Sequence, residues 1–324
     1  MTTNRLAVNH LHVQFAVRAE RRKARLRAVD DVSITVGPGE ILGIVGESGC
    51  GKSTLARAIA GLTAPDRGSI ELDARPLSRK RSVTEMRAIQ MVFQDPGASL
   101  NPRRTVGAVI SELLRVHRIV ERSKERERVE ELLHLVGLPE RTYDSLPRQL
   151  SGGQRQRVGI ARALAVEPRL LVADEAVAAL DVSVQAAILN LFADLRARLG
   201  LSMVFISHDL AAVQAICDRV AVMYLGRVVE TASVEELFGN PGHPYTRALI
   251  SASPSLDEVG VPAPLLTGEP PSPLRVPSGC RFNPRCPLAV DKCRTDDPGW
   301  QGREGHLTAC HRAWEHNETT TARS

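Results

Sequence analysis

The sequence predicts an α/β fold in which a parallel β-sheet is covered by helices on both faces. Short apolar runs, such as residues 41–45, 170–173 and 202–207, alternate with segments of helical periodicity. That alternation is typical of buried parallel strands joined by helices. A glycine-rich turn follows the first of these runs, and a Pro/Cys-rich stretch ends the chain. Hydrophobic residues are 43% of the 324 residues, which is enough for a core of this size.

The N-terminal region is predicted to be a β-rich subdomain. Strands are expected at residues 6–15, 33–36 and 41–45. The basic stretch 18–27 lacks apolar periodicity and is expected to be an exposed loop. From Ser53 onward the apolar residues have helical spacing, so a helix follows the third strand directly.

Residues 95–150 are predicted to be a helical insertion within this α/β domain. Amphipathic helices are expected at residues 106–117 and 122–136, the second dense in Glu/Arg pairs. A helix at 184–199 and a strand at 220–224 then resume the α/β pattern.

Composition changes near residue 240, which predicts a domain boundary. Nine of the 20 prolines lie at residues 241–277, as in a linker that wraps around a domain. We therefore expect one α/β domain over residues 1–238, whose function the motifs below predict, and a small C-terminal extension over 239–324.

Residues 46–53 read Gly-Glu-Ser-Gly-Cys-Gly-Lys-Ser and fit G-x-x-x-x-G-K-[ST] between a predicted strand and a predicted helix. Glycines let backbone N–H groups surround phosphate oxygens, and the helix N-terminus adds a favourable field. Lys52 is expected to reach the β- and γ-phosphates, and Ser53 to bind Mg²⁺. The motif thus predicts a Mg·ATP site formed by Gly46, Glu47, Ser48, Gly49, Cys50, Gly51, Lys52, Ser53 and Thr54.

Two carboxylates follow a later predicted strand, at Asp174 and Glu175. Asp174 is expected to hold Mg²⁺ through water, and Glu175 to orient and polarise the attacking water. An acidic pair after a strand is commonly a surface turn, so this prediction depends on the phosphate loop occurring in the same chain.

Residues 150–157, Leu-Ser-Gly-Gly-Gln-Arg-Gln-Arg, resemble the signature motif of ABC-transporter ATPases. Further landmarks of that family appear in order: Gln94 resembles the Q-loop glutamine, residues 179–181 the D-loop and His208 the switch histidine. The resemblance covers residues 5 to about 235 and implies a phosphate-loop NTPase (RecA-like) core. It implies catalytic roles for Lys52, Gln94, Glu175 and His208, Mg²⁺ contacts from Ser53, Gln94 and Asp174, and nucleotide contacts from Ser151, Gly152, Gly153 and Gln154.

The resemblance also implies a two-subunit ATPase in which the signature of one subunit closes over ATP held by the other. Ala176 and Ala178 depart from the Pro and Ser usual in the family. Phe15 is the nearby ring that could stack on adenine. It could equally be a core residue, because it shares a strand face with Val13, and an arginine from residues 18–27 could stack instead.

Residues 93–102 and 243–249 resemble the oligopeptide/dipeptide-importer branch, which includes nickel importers, and most closely its second ATPase subunit. That resemblance implies a homologous ATPase subunit as heterodimer partner, two transmembrane permease subunits and an extracytoplasmic substrate-binding protein. It implies a location at the cytoplasmic face of the cell membrane. The transported cargo, whether peptide, nickel or another solute, is selected by those other subunits.

Other classes of protein fit the sequence less well. A soluble ABC ATPase of repair or translation would need two signature-bearing halves or a long coiled-coil insertion, and a non-enzymatic metal-binding regulator would not need the ATP motifs. The net charge of +5 comes from basic residues interleaved with acidic ones, so nucleic-acid binding is not expected. Residues 1–9 lack the apolar core of a secretory signal, and no apolar run reaches the roughly 18 residues of a membrane span.

Four of the six cysteines, Cys280, Cys286, Cys293 and Cys310, are concentrated near the C-terminus. Structural Zn²⁺ favours C-x₂₋₄-C pairs, which are absent here, whereas iron–sulfur clusters accept wider spacing. The importer-branch resemblance allows a [4Fe–4S] cluster, which is favoured over Zn²⁺ and over ordinary thiols. The remaining two, Cys50 and Cys217, are expected to be a tolerated small residue and a core residue.

Overall fold

The structure, a computed structural model, describes residues 4–19, 22–95, 100–253 and 268–315. The strands in these ranges are β1 Leu6–Ala19, β2 Arg22–Val36, β3 Ile41–Val45, β4 Arg67–Leu72, β5 Arg75–Pro76, β6 Ile89–Val92, β7 Leu170–Asp174, β8 Ser202–Ile206, β9 Arg219–Tyr224, β10 Arg227–Ser233, β11 Trp300–Arg303 and β12 His306–Ala309. The helices are α1 Lys52–Ile59, α2 Val83–Ala88, α3 Val106–Val116, α4 Glu125–Leu135, α5 Gly152–Leu164, α6 Val182–Leu199, α7 Leu210–Ile216, α8 Val234–Gly239, α9 Pro244–Ser251 and α10 Asp291–Thr295. Among the described residues, no helix has the length and apolar character needed to cross a membrane.

The main sheet has eight strands in the order β11-β12-β10-β9-β3-β8-β7-β6. Strands β3, β6, β7, β8 and β9 are parallel, and β10, β12 and β11 add to one edge in antiparallel fashion. Every residue of β3, β7 and β8 is buried. The predicted α/β fold with a parallel core is confirmed.

Alternate residues of each central strand enter different cores. Ile41 and Val45 of β3 join a core with helices α3 to α6, whereas Leu42 and Ile44 join a core with α1 and the N-terminal strands. This period of two is the signature of a sheet that is covered on both faces. Because the central strands are parallel, their carboxyl ends lie at the same edge of the sheet.

A separate antiparallel sheet, in the order β2-β1-β4-β5, forms the N-terminal subdomain. Here the expected loop at residues 18–27 is wrong, because β1 and β2 pair from Leu6↔Val36 out to Ala19↔Arg22. The outer part of this hairpin exposes residues on both faces, for example the consecutive residues Phe15 and Ala16 of β1. Strands exposed on both faces do not need alternating apolar residues, which is why the pattern was missing.

The helical insertion contains α3 and α4, in the segment where two helices were predicted. Thr105 accepts a hydrogen bond from the Ala108 N–H and so caps α3. Exposed ion pairs along α4 join Arg126 to Glu130 at 2.8 Å and Arg128 to Glu131 at 2.8 Å. The buried face of α4 joins the same core as α3 and α5.

The predicted C-terminal extension is attached to the main sheet through its strand β12. Strand β12 pairs with β10 through Glu230↔Thr308 and Thr231↔Leu307. Within the region predicted as a proline-rich linker, α9 forms a helix capped by His243, whose Nδ1 accepts the Tyr245 N–H at 3.0 Å. Tyr245, with Cys280 and Phe282 from further along the extension, belongs to the core under α3 to α6.

Candidate functional site

The glycine-rich motif forms a tight turn between the end of β3 and the start of α1. Gly46 and Gly51 have φ angles of 149° and 109°, which residues with a side chain rarely adopt. A Cβ on Gly46 would lie 2.2 Å from the Met223 carbonyl oxygen, and one on Gly51 would lie 2.1 Å from the Ala28 carbonyl oxygen. Both positions therefore require glycine, and the turn is packed directly against β9 and β2.

Lys52 lies inside the curve of this loop. Its side chain is buried, and its ammonium group donates to the carbonyl oxygens of Gly46 at 2.7 Å and Glu47 at 2.9 Å. Ser48 and Gly49 are exposed at the tip of the loop. The first turn of α1 carries no acidic residue, so the lysine charge and the helix N-terminus together favour an anion here.

Ser53 and Asp174 meet beside the loop. The Ser53 hydroxyl donates to Asp174 Oδ1 at 2.9 Å, although 121 residues separate them. Burial raises the pKa of the Asp174 carboxyl, and the neighbouring Glu175 charge acts in the same direction, against the Ser53 hydrogen bond. A hydroxyl and a carboxylate in contact are the oxygen donors that Mg²⁺ prefers.

Glu175 and His208 follow the carboxyl ends of the adjacent parallel strands β7 and β8. Glu175 has a φ of 49° and its N–H donates to the Ile206 carbonyl oxygen at 3.0 Å. This left-handed conformation is uncommon for a residue with a side chain and stores local strain. Glu175 Oε1 lies 3.6 Å from His208 Nδ1, and the His208 side chain is 59% exposed. The structure thus brings both residues together at the carboxyl ends of the parallel strands.

Comparison with known proteins identifies the family. The ABC transporter family model matches residues 29–178, and that of the oligopeptide/dipeptide transporter C-terminal region matches residues 229–293. A putative peptide import ATP-binding protein of Brucella ovis is 48% identical over 298 residues, which cover 90% of this chain and 94% of the relative. The chain belongs to the ABC transporter ATP-binding proteins. The predicted family and its ATPase activity are confirmed.

Further relatives agree with this assignment. A probable peptide ABC transporter ATP-binding protein of Sinorhizobium fredii is 51% identical over 88% of this chain and 82% of its own length. Among solved structures, cbiO1 of Clostridium perfringens, part of an ABC transporter complex, has a TM-score of 0.64 at 30% identity, covering 73% of this chain and 91% of its own. The ATP-binding cassette MJ0796, a dimer bound to ADP and Pi in a post-hydrolysis state, has a TM-score of 0.62 at 28% identity, covering 71% and 98%.

The signature motif of this ABC ATPase starts helix α5. Ser151 caps the helix by accepting the Gln154 N–H at 3.2 Å, and Gln154 Oε1 accepts the Ser151 N–H at 2.9 Å. A Cβ on Gly153 would lie 2.4 Å from Val184, so this glycine allows close packing against α6, while Gly152 lies at the first helical position. Within the described part of the chain, no hydrogen bond or ion pair joins the motif to residues 46–54.

Two expected nucleotide contacts are partly defined. Gln94 is exposed and lies two residues beyond the end of β6, the strand that pairs with β7, whose last residue is Asp174. Of the neighbouring segment that resembles the importer branch, residues 96–99 lie outside the described residues. Phe15 is 39% exposed, whereas Val13 is 1% exposed. Phe15 is therefore not a core residue, which was the alternative to its stacking on adenine.

The four C-terminal cysteines are partly or fully buried. Burial, with a smaller contribution from the other cysteines of the set, raises the pKa of Cys280 to about 11 and of Cys310 to about 12. Nevertheless, no group of three or more His, Cys, Asp or Glu side chains in the described ranges is arranged to hold a metal ion. The arrangement of the side chains therefore gives the predicted cluster no support as a metal-ion site. Cys217 is 8% exposed, as predicted for a core residue.

Two residues that lie next to the phosphate loop, Arg285 and Tyr245, were not predicted from the sequence. Arg285 contacts both carboxylate oxygens of Glu47, and the Tyr245 hydroxyl accepts the Glu47 N–H at 2.8 Å. The contacts span 238 and 198 residues of chain, so no local pattern indicates them. Glu47 itself was the one signal in the sequence, because an acidic residue inside a phosphate-binding loop needs a cation near it.

Proposed function

We propose that this ABC ATPase powers an importer of oligopeptides or dipeptides. The proposal is supported by the match of residues 229–293 to the oligopeptide/dipeptide transporter C-terminal region. It is also supported by relatives named as peptide import ATP-binding proteins, which the chain matches over 88–90% of its length. The alternatives, nickel or another small solute as cargo and a soluble ATPase of repair or translation, have no comparable support.

In this proposal, backbone N–H groups of residues 46–54 and the Lys52 ammonium bind the phosphates of ATP. Ser53 and Asp174, which are in contact at 2.9 Å, would hold Mg²⁺ together with Gln94. The bound Mg²⁺ would neutralise charge on the phosphate oxygens. Glu175 accepts a proton from the attacking water, and His208 orients groups around the γ-phosphate.

We further propose that two ATPase subunits share each nucleotide. The signature residues 151–154 would act on ATP held by a homologous partner subunit, with Phe15 stacking on the adenine of the chain's own ATP. Support comes from the exposed Ser151 at a helix N-terminus, which suits an anion, and from the absence of bonds to the loop of the same chain among the described residues. The helical insertion, residues 95–150, would contact two permease subunits at the cytoplasmic face of the membrane, and a binding protein would deliver the cargo.

We also propose a [4Fe–4S] cluster held by Cys280, Cys286, Cys293 and Cys310 in the extension, residues 239–324. A four-iron cluster needs wider sulfur separations than a single ion, so the lack of a single-ion site does not conflict with it. The Arg312 N–H, two residues beyond Cys310, donates a hydrogen bond to the Cys310 sulfur at 3.4 Å. Such bonds favour the thiolate that metals bind, and binding would displace the thiol protons.

Iron analysis tests the cluster. Protein purified without oxygen is expected to be brown, to absorb broadly near about 400 nm and to contain roughly four irons per chain. Replacing both Cys280 and Cys286 by alanine should remove the colour and the iron. Colourless protein with about one zinc per chain would contradict the cluster and favour the zinc alternative.

Reconstitution with the permeases tests the cargo. We expect ATP hydrolysis in the assembled importer to be stimulated by a peptide-loaded binding protein. The matched control is the same complex with the Lys52→Ala subunit, which should show no stimulation. Stimulation by a nickel-loaded binding protein, and not by a peptide-loaded one, would overturn the peptide assignment and leave the ATPase assignment intact.

A further inference from the structure

The phosphate loop contains one acidic side chain, Glu47, and it points toward the C-terminal extension. Its carboxylate accepts two hydrogen bonds from the Arg285 guanidinium, at 2.7 Å to Nη1 and 2.9 Å to Nη2. Its backbone N–H donates to the Tyr245 hydroxyl at 2.8 Å. A bidentate, charge-assisted contact of this kind is both strong and directional. Glu47, the residue that follows Gly46 in the loop, is therefore held both through its side chain and through its backbone.

Both partners of Glu47 are fixed by their own surroundings. The Arg285 side chain is 4% exposed and Tyr245 is fully buried. The Tyr224 ring packs against the Tyr245 ring at 4.6 Å between centroids, and the Arg285 guanidinium lies 5.9 Å from the Tyr224 ring centroid. Phe282 closes the cluster at 5.5 Å from Tyr245. These groups can hold the loop because they have little freedom to move.

A second contact joins the same short segment to the nucleotide-binding core. Arg281 is buried, pairs with the Asp30 carboxylate of β2, and donates to the Leu225 carbonyl oxygen. The next residue, Gly226, donates its N–H to the Cys50 carbonyl oxygen of the phosphate loop at 2.8 Å. Arg281 follows Cys280 and Arg285 precedes Cys286 in sequence. The segment between these two cysteines thus contacts the loop through Arg285 directly and through Arg281 indirectly.

We propose that Arg285 and Tyr245 are positioning residues of the ATP site, so that the affinity of the phosphate loop for ATP depends on the C-terminal extension. Both residues act through Glu47 and not by direct contact with the nucleotide. Arg285 neutralises Glu47, which would otherwise face the phosphates with a like charge, and Tyr245 keeps the Glu47 peptide oriented. The inference rests on ATP binding by this chain, and not on its cargo or on a metal cluster.

Equilibrium binding of a fluorescent ATP analogue with Mg²⁺ to the full chain tests the proposal. Arg285→Met should raise the Kd by about tenfold or more, as expected when a charged group loses its bidentate partner. Turnover at saturating ATP in the assembled transporter should change by less than about threefold, because the catalytic groups stay in place. Arg303→Met is the matched control, since Arg303, elsewhere in the extension, forms an exposed pair with Glu236 of α8; it should bind as the wild type does.

A double variant separates charge from structure. If Arg285 acts by neutralising Glu47, then Glu47→Gln combined with Arg285→Met should return the Kd to within about threefold of wild type. Tyr245→Phe removes only the hydroxyl, keeps the buried ring and should raise the Kd by about threefold or more. A folded Arg285→Met protein with wild-type affinity, or a double variant as weak as the single one, would overturn the proposal. Failure of the wild-type chain to bind ATP would instead contradict the ATP-site assignment.

Discussion

Replacing His306 by leucine should destabilise the C-terminal extension. His306, on β12, donates from Nε2 to Glu230 Oε1 on β10 at 2.7 Å, and their side chains are 2% and 0% exposed. The same carboxylate accepts the N–H groups of Gly242 and His243 at 2.6 and 3.0 Å. Glu230 therefore joins β10, the start of α9 and β12. Loss of His306 leaves a buried carboxylate without its cationic partner.

The size of the effect follows from burial. Removing one partner of a buried charged pair costs about 3–5 kcal/mol of unfolding free energy. With a urea dependence of about 2 kcal/mol per M, the unfolding midpoint should fall by about 1.5–2.5 M. Tryptophan fluorescence is the assay, because both tryptophans, Trp300 and Trp314, lie in the extension. The Trp314 ring also packs on the His306 ring at 5.3 Å between centroids.

The pH dependence of the unfolding free energy provides a second, independent test of the pair formed by His306 and Glu230. The hydrogen bond with Glu230 raises the pKa of His306 above its ordinary 6.5. The folded state then holds a proton that the unfolded state releases, so this stability is complete below about pH 6.5 and is lost as pH rises through the folded pKa. The wild-type midpoint should fall more steeply than that of His306→Leu between about pH 6 and about pH 8.5. Glu236→Ala, which removes an exposed carboxylate 3.5 Å from His306 Nδ1, is the control and should unfold near the wild-type midpoint. An unchanged midpoint for His306→Leu would refute the reasoning.

Three further substitutions test the nucleotide site. Lys52→Ala should abolish phosphate release by the assembled transporter, because the γ-phosphate loses its fixed cation; near-wild-type turnover would refute the role. Gly51→Ala places a Cβ 2.1 Å from the Ala28 carbonyl oxygen, so ATP binding should be lost while circular dichroism shows a folded protein. Binding at wild-type affinity would show that the loop can move. Ser151→Arg in one subunit of a mixed dimer should block hydrolysis at the partner's site, measured by nucleotide trapping; damage at its own site would contradict sharing.

The parts of the site that the sequence predicted are encoded locally. Residues 46–53 form a phosphate loop because glycine spacing, the preceding apolar strand and the following helix all lie within a few turns of chain. The meeting of Ser53 with Asp174 was also predictable, because the carboxyl ends of parallel strands lie at the same edge of a sheet. Capping of α5 by Ser151 and Gln154 follows the same local logic.

The parts that the sequence did not predict depend on distant contacts. The outer ends of β1 and β2, residues 18–19 and 22–27, are strands because β1 pairs with β2, and they have no apolar alternation of their own. The contact between Glu47 and Arg285 joins residues that are 238 apart in sequence. Because the chain contains many arginines, the sequence does not indicate which of them pairs with Glu47. Attachment of β12 to the edge of the main sheet is likewise invisible to periodicity, because short strands at residues 300–309 lack a continuous apolar face.

Nucleotide retention by the Glu175→Gln subunit in the assembled transporter tests the central claim most directly. If Glu175 polarises the attacking water at this site, the variant should bind ATP as the wild type does and release phosphate about 10²–10⁴ times more slowly. Labelled nucleotide recovered from the complex should then be ATP and not ADP. Glu167→Gln, which alters an exposed carboxylate paired with Arg87 and Arg128, should recover ADP as the wild type does. Phosphate release by Glu175→Gln at the wild-type rate would contradict the account.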